Sequence, residues 1–288
     1  MNELAERVAV VTGAASGLGR GIAERFGQAG ALVVVADVNE ADGEATAAAV
    51  GPNAVFRKVD VAEPDQVRDL VRFAVDTLGG LDVMVNNAGV SGAMHQRFLD
   101  DDLADFSRVM GVNLLGAMVG TREAAQHMAT HGGGSIINVT SVGGLTAGRG
   151  VITYRASKAG LIQMTKSVAI DLAEHRVRVN CIAPGNIPTG LLASSFADGD
   201  ADGRVAAIRA VMAMSTPLPR EGTAADVAEA ALYLASDRSS FLTGVVLPVD
   251  GGSSAGTSFK PDDMVRLAAN GGRATTTQDA ERARETAR

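Results

Sequence analysis

A tyrosine and a lysine four residues apart are the first residues in this chain whose types and spacing suggest chemistry. The stretch "TYRASKAG" places Tyr154 and Lys158 on one face of a helix. A phenol with its ordinary pKa of about 10 is a weak acid and is poorly matched to work near neutrality. A cation one helical turn away favours the phenolate and lowers that value. Taken alone, the pair is an ordinary surface contact. Upstream, Ser141 follows the apolar run "SIINVT". Its hydroxyl can bond an oxygen on which negative charge develops, although a lone serine there is usually a strand-end cap.

A second set of residues is suited to binding. "TGAASGLGRG" places Gly13, Gly17 and Gly19, with Ser16 and Leu18 among them, where an apolar run gives way to a helical pattern. Glycines at such a junction allow a tight turn and let a pyrophosphate approach the N–H groups of a helix N-terminus. Asp37 closes the second apolar run, where a carboxylate accepts hydrogen bonds from a ribose diol and repels a 2′-phosphate. Val38 follows it and Ser16 precedes Gly17, so no basic residue awaits a phosphate at either point. Arg20 is expected on the solvated face of the helix. The residues point to NAD rather than NADP.

The elements that must position these residues alternate along the chain. Apolar, β-branched runs occupy 7–12, 32–37, 54–60, 81–89, 135–141, 176–185 and 244–252. Helical patterns start near Leu18, Glu40, Pro64 and Asp102, and later span about Thr153 to Ala173 and Ala224 to Ser236. Unbroken apolar runs suit strands covered on both faces, and strand–helix alternation predicts a parallel, doubly wound α/β sheet. One catalytic domain is expected over 1–252, with the long connection 189–220 as a lid. Residues 253–288 form a C-terminal extension of mixed charge and little periodicity. Leu191, Leu192, Phe196, Met212 and Met214 offer apolar surface, either to a substrate or to packing of the lid itself. His95 is expected to border the same pocket.

Composition narrows the function further. Apolar residues make up 46% of the 288, enough to build a core, and the formal net charge of −7 argues against a nucleic-acid partner. The single cysteine, Cys181, excludes an internal disulfide and a cysteine metal site, and suits a reducing, cytoplasmic setting. It reads as buried filler within an apolar strand. The first residues carry acids rather than a basic cluster, and no apolar run approaches the roughly 20 residues of a membrane span.

No metal is expected either. Asp198, Asp200 and Asp202 with Gly203 imitate a calcium loop, but Arg209 stands where its bidentate glutamate belongs. His127 and His131 suit a helix C-terminus, and Asp100, Asp101 and Asp102 suit a helix N-terminus.

In chain order stand "TGAASGLG", "DV" at 60–61, "NNAG" at 86–89, "VNLLG" at 112–116, the serine of "VTS" at 139–141, "YRASK" at 154–158, "APGNIPT" at 183–189 and "VDGG" at 249–252. Through these, over about residues 6 to 252, the chain resembles the single-domain short-chain dehydrogenase/reductase family. The resemblance implies a Rossmann-type sheet of seven strands in the order 3-2-1-4-5-6-7, with the site at the C-terminal strand ends. It implies that Asp60 and Val61 meet the adenine and that Asn87, Ala88 and Gly89 line the floor beneath the ribose. Pro184, Gly185, Ile187 and Thr189 would hold the nicotinamide end.

By the same resemblance, Tyr154 is the acid/base, and Lys158 lowers its pKa and binds the nicotinamide ribose. Ser141 holds the substrate oxygen, and Asn113 holds a water that links Lys158 to solvent. The reaction implied is hydride transfer between NAD and a secondary alcohol or ketone, on a hydrophobic small molecule, in a homotetramer. Arg155, about 100° further round the helix than Tyr154, is expected outside the active site. Two other readings stand beside this one. A 3-oxoacyl carrier-protein reductase commonly uses NADPH and carries basic residues where Ser16 and Val38 stand here. A non-catalytic NAD-binding regulator has no need of an intact Asn113, Ser141, Tyr154 and Lys158.

Overall fold

The computed structural model describes residues 2–191 and 216–256, with 203, 205, 206, 208 and 209 between them. Seven strands follow the apolar runs: β1 (Val8–Thr12), β2 (Leu32–Asp37), β3 (Ala54–Lys58), β4 (Val83–Asn86), β5 (Gly134–Val139), β6 (Val177–Pro184) and β7 (Val246–Val249). All pair in parallel, in the order β3-β2-β1-β4-β5-β6-β7, as expected. The strands stop short of several runs. The 81–89 run is strand only to Asn86, because the residues after it turn away to build the site.

Successive residues of each strand face opposite sides of the sheet. Ala9, Val11, Val33, Val35 and Ile137 join one core, with Ile22 and Phe26 of α1 (Gly17–Gln28), Ala47 of α2 (Glu40–Val50) and Leu232 of α7 (Ala224–Ala235). Val10, Val34, Met84 and Ile136 join the other. There they meet Leu70 of α3 (Pro64–Leu78), Met128 of α5 (Ala117–Thr130) and Ala169 of α6 (Ile152–Asp171). This two-sided burial is why the strands read as unbroken apolar runs.

Local chemistry fixes the helix ends. Pro64 opens α3 and Gly79, at φ 87°, closes it. Thr223 and Asp226 form a reciprocal capping box on α7. The helix expected from Asp102 starts instead at Phe106, as α4 (Phe106–Met110). Asp101 and Asp102 accept hydrogen bonds from the N–H groups of Leu103 and Ala104 at 2.8 and 3.0 Å, and Leu103 has a φ of 57°. Carboxylates that close turns in this way compete with helix formation, so the three acids lie ahead of the helix. From α4 a π-helical turn, Gly111–Gly116, runs directly into α5.

His127 and His131 do end α5, with stacked rings 3.9 Å apart. Burial, then the neighbouring ring, pushes His127 below the usual histidine pKa. Among the described residues, no group of three His, Cys, Asp or Glu could hold a metal, and no helix is long and apolar enough to cross a membrane. Leu192, Phe196, Asp198, Asp200, Asp202, Met212, Met214 and the extension from 257 onward lie outside the described residues.

Candidate active site

The strand order reverses between β1 and β4, and the loops that leave these two strands lock together. Gly13 and Gly17 adopt φ values of 65° and 55°, which L side chains rarely reach. A Cβ on Gly13 would lie 2.7 Å from Ala88 Cα. Asn87 donates from Nδ2 to the carbonyls of Thr12 and Gly13 at 2.9 and 3.1 Å. The Thr12 hydroxyl accepts from the N–H groups of Asn87 and Ala88 at 3.0 and 3.1 Å. The "NNAG" turn therefore clamps the glycine loop as well as facing the cleft.

Ser16 precedes α1 without a side-chain capping bond, and the first turn carries no acid. A helix start of this kind suits an anion. Asp37 accepts from Ala15 N and Asn39 N, both at 2.9 Å, which fixes its carboxylate at the end of β2. Arg20 pairs with Glu24 at 2.7 Å along the helix surface.

A cleft of about 580 Å³ crosses these strand ends. Its wall includes Gly13, Ser16, Gly17, Leu18, Asp37, Val38, Asp60, Val61, Asn87, Ala88 and Gly89, and continues through Tyr154, Lys158, Pro184, Gly185, Ile187 and Thr189. The glycine turn, the open helix start and the fixed carboxylate fit a dinucleotide. Gly19, expected at the cofactor, is not among the residues that line the cleft. A Cβ there would come 2.1 Å from the Gly13 carbonyl oxygen and 2.4 Å from Asn87 Nδ2, so its role is to let α1 pack beneath the loop. Arg108, Val112 and Thr140 also line the cleft. Val112 and Thr140 fall within the "VNLLG" and "VTS" stretches, whereas no local sequence pattern marks Arg108.

Two elements bring the reactive side chains together. α6 carries Tyr154 and Lys158, and β5 leads through Thr140 to Ser141. Ser141 caps the short turn Val142–Gly144, accepting from Gly143 N at 3.0 Å. Gly144 lets that turn press onto α6, where a Cβ would lie 2.8 Å from the Lys158 carbonyl carbon. The Thr140 hydroxyl donates to the Lys158 carbonyl at 2.9 Å.

Burial pushes the Tyr154 phenol above its usual pKa, while the Ser141 hydroxyl and then the Arg155 guanidinium beside it pull the other way. Lys158 is buried, and that draws its ammonium down to about 8. Its Nζ donates to the Val139 carbonyl at 2.9 Å and lies 5.7 Å from the centre of the Tyr154 ring.

Asn113 sits in the π turn, buried, and does not line the cleft. Its Nδ2 donates to the Val90 carbonyl at 2.8 Å and to the Ser157 hydroxyl at 3.0 Å, while its Oδ1 accepts from Val90 N at 2.8 Å. The side chain is thus occupied in tying the loop after β4 to α6. Cys181 is buried, and desolvation raises its thiol to about 11.

A second cavity, of about 340 Å³, adjoins the first. Ser141, Tyr154, Gly185, Ile187, Thr189 and Leu191 line both. Arg155, expected outside the active site, stands in this second wall beside Gly143 and Thr146, donating from NH1 to the Thr146 carbonyl at 3.1 Å. The 142–146 turn folds back over α6 and meets it, an approach that helix geometry alone does not reveal. His95 lines neither cavity and faces Asp101 at 3.7 Å.

The family model described as enoyl-(acyl carrier protein) reductase matches residues 13–254. Cis-4-hydroxycyclohexanecarboxylate dehydrogenase of Sinomonas cyclohexanicum is 40% identical over 256 residues, covering 87% of this chain and 98% of that protein. 3beta-Hydroxysteroid dehydrogenase 2 of Eggerthella lenta is 39% identical, covering 88% of this chain and 96% of its own. A solved structure described as a putative short-chain dehydrogenase/reductase from Burkholderia xenovorans superposes with a TM-score of 0.81 at 34% identity, over 88% of this chain and 98% of its own.

Proposed function

Since the chain belongs to the short-chain dehydrogenase/reductase family, we propose that it is an NAD(H)-dependent oxidoreductase interconverting a secondary alcohol and a ketone. The observation that carries this reading is that Ser141 and Tyr154 line both cavities. A substrate oxygen in the smaller cavity meets both hydroxyls where it adjoins the larger one. Bound in the larger cleft, the nicotinamide supplies the hydride chemistry.

The protein's own residues handle the proton. Ser141 hydrogen-bonds the substrate oxygen and steadies the charge that develops there. Tyr154 takes the proton from the alcohol or returns it to the ketone oxygen. Lys158 holds the ribose side of the cleft, and its charge favours the phenolate once Nζ leaves Val139. The side-chain donors of Asn113 are already engaged, so a relay water beside Lys158 is held by its main chain. Gly13, Ser16, Gly17 and Leu18 hold the pyrophosphate, Asp37 the adenosine ribose, and Asp60 and Val61 the adenine. Pro184, Gly185, Ile187 and Thr189 hold the nicotinamide.

Asp37, with no basic residue at Ser16 or Val38, supports NAD and counts against a carrier-protein reductase dependent on NADPH. The intact Ser141, Tyr154 and Lys158 set counts against a non-catalytic regulator. Met94, Val142, Val151 and Leu191 in the smaller cavity support a substrate with an apolar body. Exposed Phe106, Leu115 and Met118 on α4–α5 and Ile170 on α6 support a homotetramer assembled through these helices. The deciding experiment offers NAD+ and a panel of secondary alcohols and follows NADH formation. Tight NADH binding with no turnover across the panel would favour the regulator.

A further inference from the structure

Among the described residues, the smaller cavity is lined by four arginines, Arg149, Arg155, Arg209 and Arg220, and one carboxylate, Glu221. This runs against the grain of a chain whose net charge is −7. Arg220 is already neutralised, since its guanidinium forks onto Asp226 at 2.7 and 2.8 Å. The other three form no ion pair among the described residues. Arg155 is the most constrained of them. NH1 donates to a neutral carbonyl, that of Thr146, and Nε is buried with no hydrogen-bond partner. A buried guanidinium nitrogen without a partner is costly unless something bound beside it supplies one, and the exposed Arg149 and Arg209 add positive charge along the same wall.

We infer that the substrate is an alcohol or ketone bearing a carboxylate, with Arg149, Arg155 and Arg209 selecting that group; this rests on the dehydrogenase reading above. The apolar residues between the two ends fit a short hydrocarbon body. The reacting oxygen lies at Ser141 and Tyr154, and the carboxylate lies against the guanidinium wall of the same cavity. Arg155 follows Tyr154 directly in the chain and shares its cavity, which suits an anion carried close to the reacting carbon. The phosphates of a carrier thioester lie much further from their ketone. The guanidinium planes match a carboxylate in two-point fashion, as lysines would not.

The test uses 4-hydroxycyclohexanecarboxylate, its methyl ester and acetoacetyl-coenzyme A on the whole protein. The expected result is that kcat/KM for the acid exceeds that for the ester by about 10- to 100-fold, the worth of one hydrogen bond between charged groups. In Arg149→Met and in Arg209→Met the acid-to-ester ratio falls by about tenfold, while Arg149→Lys keeps part of it. Ester turned over as well as acid, or acetoacetyl-coenzyme A preferred to both, overturns the inference and leaves the dehydrogenase reading standing.

Thermal shift of the NADH-saturated protein by the same acid and ester needs no turnover. If neither alcohol reacts, the panel of secondary alcohols above decides the dehydrogenase reading. Stabilisation by the acid alone, lost in Arg149→Met, then still supports an anion site, and equal or absent shifts refute it.

Discussion

Lys158, buried in the wall of the cleft, donates from Nζ to the main-chain carbonyl of Val139 at 2.9 Å. Burial draws its pKa down from 10.5 to about 8. The folded value lies below the unfolded one, so between them the unfolded chain binds more protons. Stability therefore rises with pH across that window, by on the order of 3 kcal/mol, and the full cost of burying the charge is present below it. Cys181 and Tyr154 work in the opposite direction, because the fold favours their neutral acids. Both remain in Lys158→Met. Urea unfolding of the two proteins from neutral pH to about 10 should show the wild type gaining stability relative to the variant. A pH-independent difference would refute the assignment.

Tyr154→Phe should remove at least about 10²-fold of turnover, the usual share of a positioned acid/base. NADH binding should persist, because the aromatic ring still lines the cleft beside Lys158. Steady-state rates and NADH fluorescence titration separate the two effects. Near-normal turnover would remove Tyr154 from the chemistry.

Asp37 holds its carboxylate through Ala15 N and Asn39 N, and neither Ser16 nor Val38, which line the cleft with it, is basic. Wild-type protein should therefore bind NADH more tightly than NADPH by about tenfold or more. Asp37→Asn keeps the shape and removes the charge, so the ratio should narrow. Tighter binding of NADPH by the wild type would falsify the NAD assignment.

Much of this was legible before any coordinates, for reasons that particular residues make plain. Strand alternation carried the sheet because both faces are buried, as the opposed placement of Val10 and Val11 shows. The places of Asp37 and Tyr154 in the cleft wall were legible because each stands next to the motif that identifies it. The packing role of Gly19 was not legible, because a glycine needed for packing and one needed for a phosphate look alike in a string. The start of α4 was misread because Asp101 and Asp102 can cap a helix or close a turn, and the turn won. Arg155 escaped because its position depends on the 142–146 turn folding back onto α6, a contact between segments that no periodicity encodes.

That same contact gives the sharpest test of how the site is held. A Cβ on Gly144 would lie 2.8 Å from the Lys158 carbonyl carbon and 2.9 Å from Ala159 N, both backbone atoms of α6 that cannot swing aside. In Gly144→Ala the turn must lift, and Ser141 moves with it because its hydroxyl is bonded to Gly143 N. Tyr154 and Lys158 stay on α6. The expected result is a loss of about 1–3 kcal/mol of stability, as for other overpacked sites, and a fall in kcat of about 10- to 100-fold from misplacement of the serine. NADH affinity should change little, since the glycine loop and Asp37 are untouched. Gly80→Ala is the control, because no atom lies within 4 Å of a Cβ there. Equal effects in the two variants, or full activity in Gly144→Ala, would show that the turn does not position Ser141.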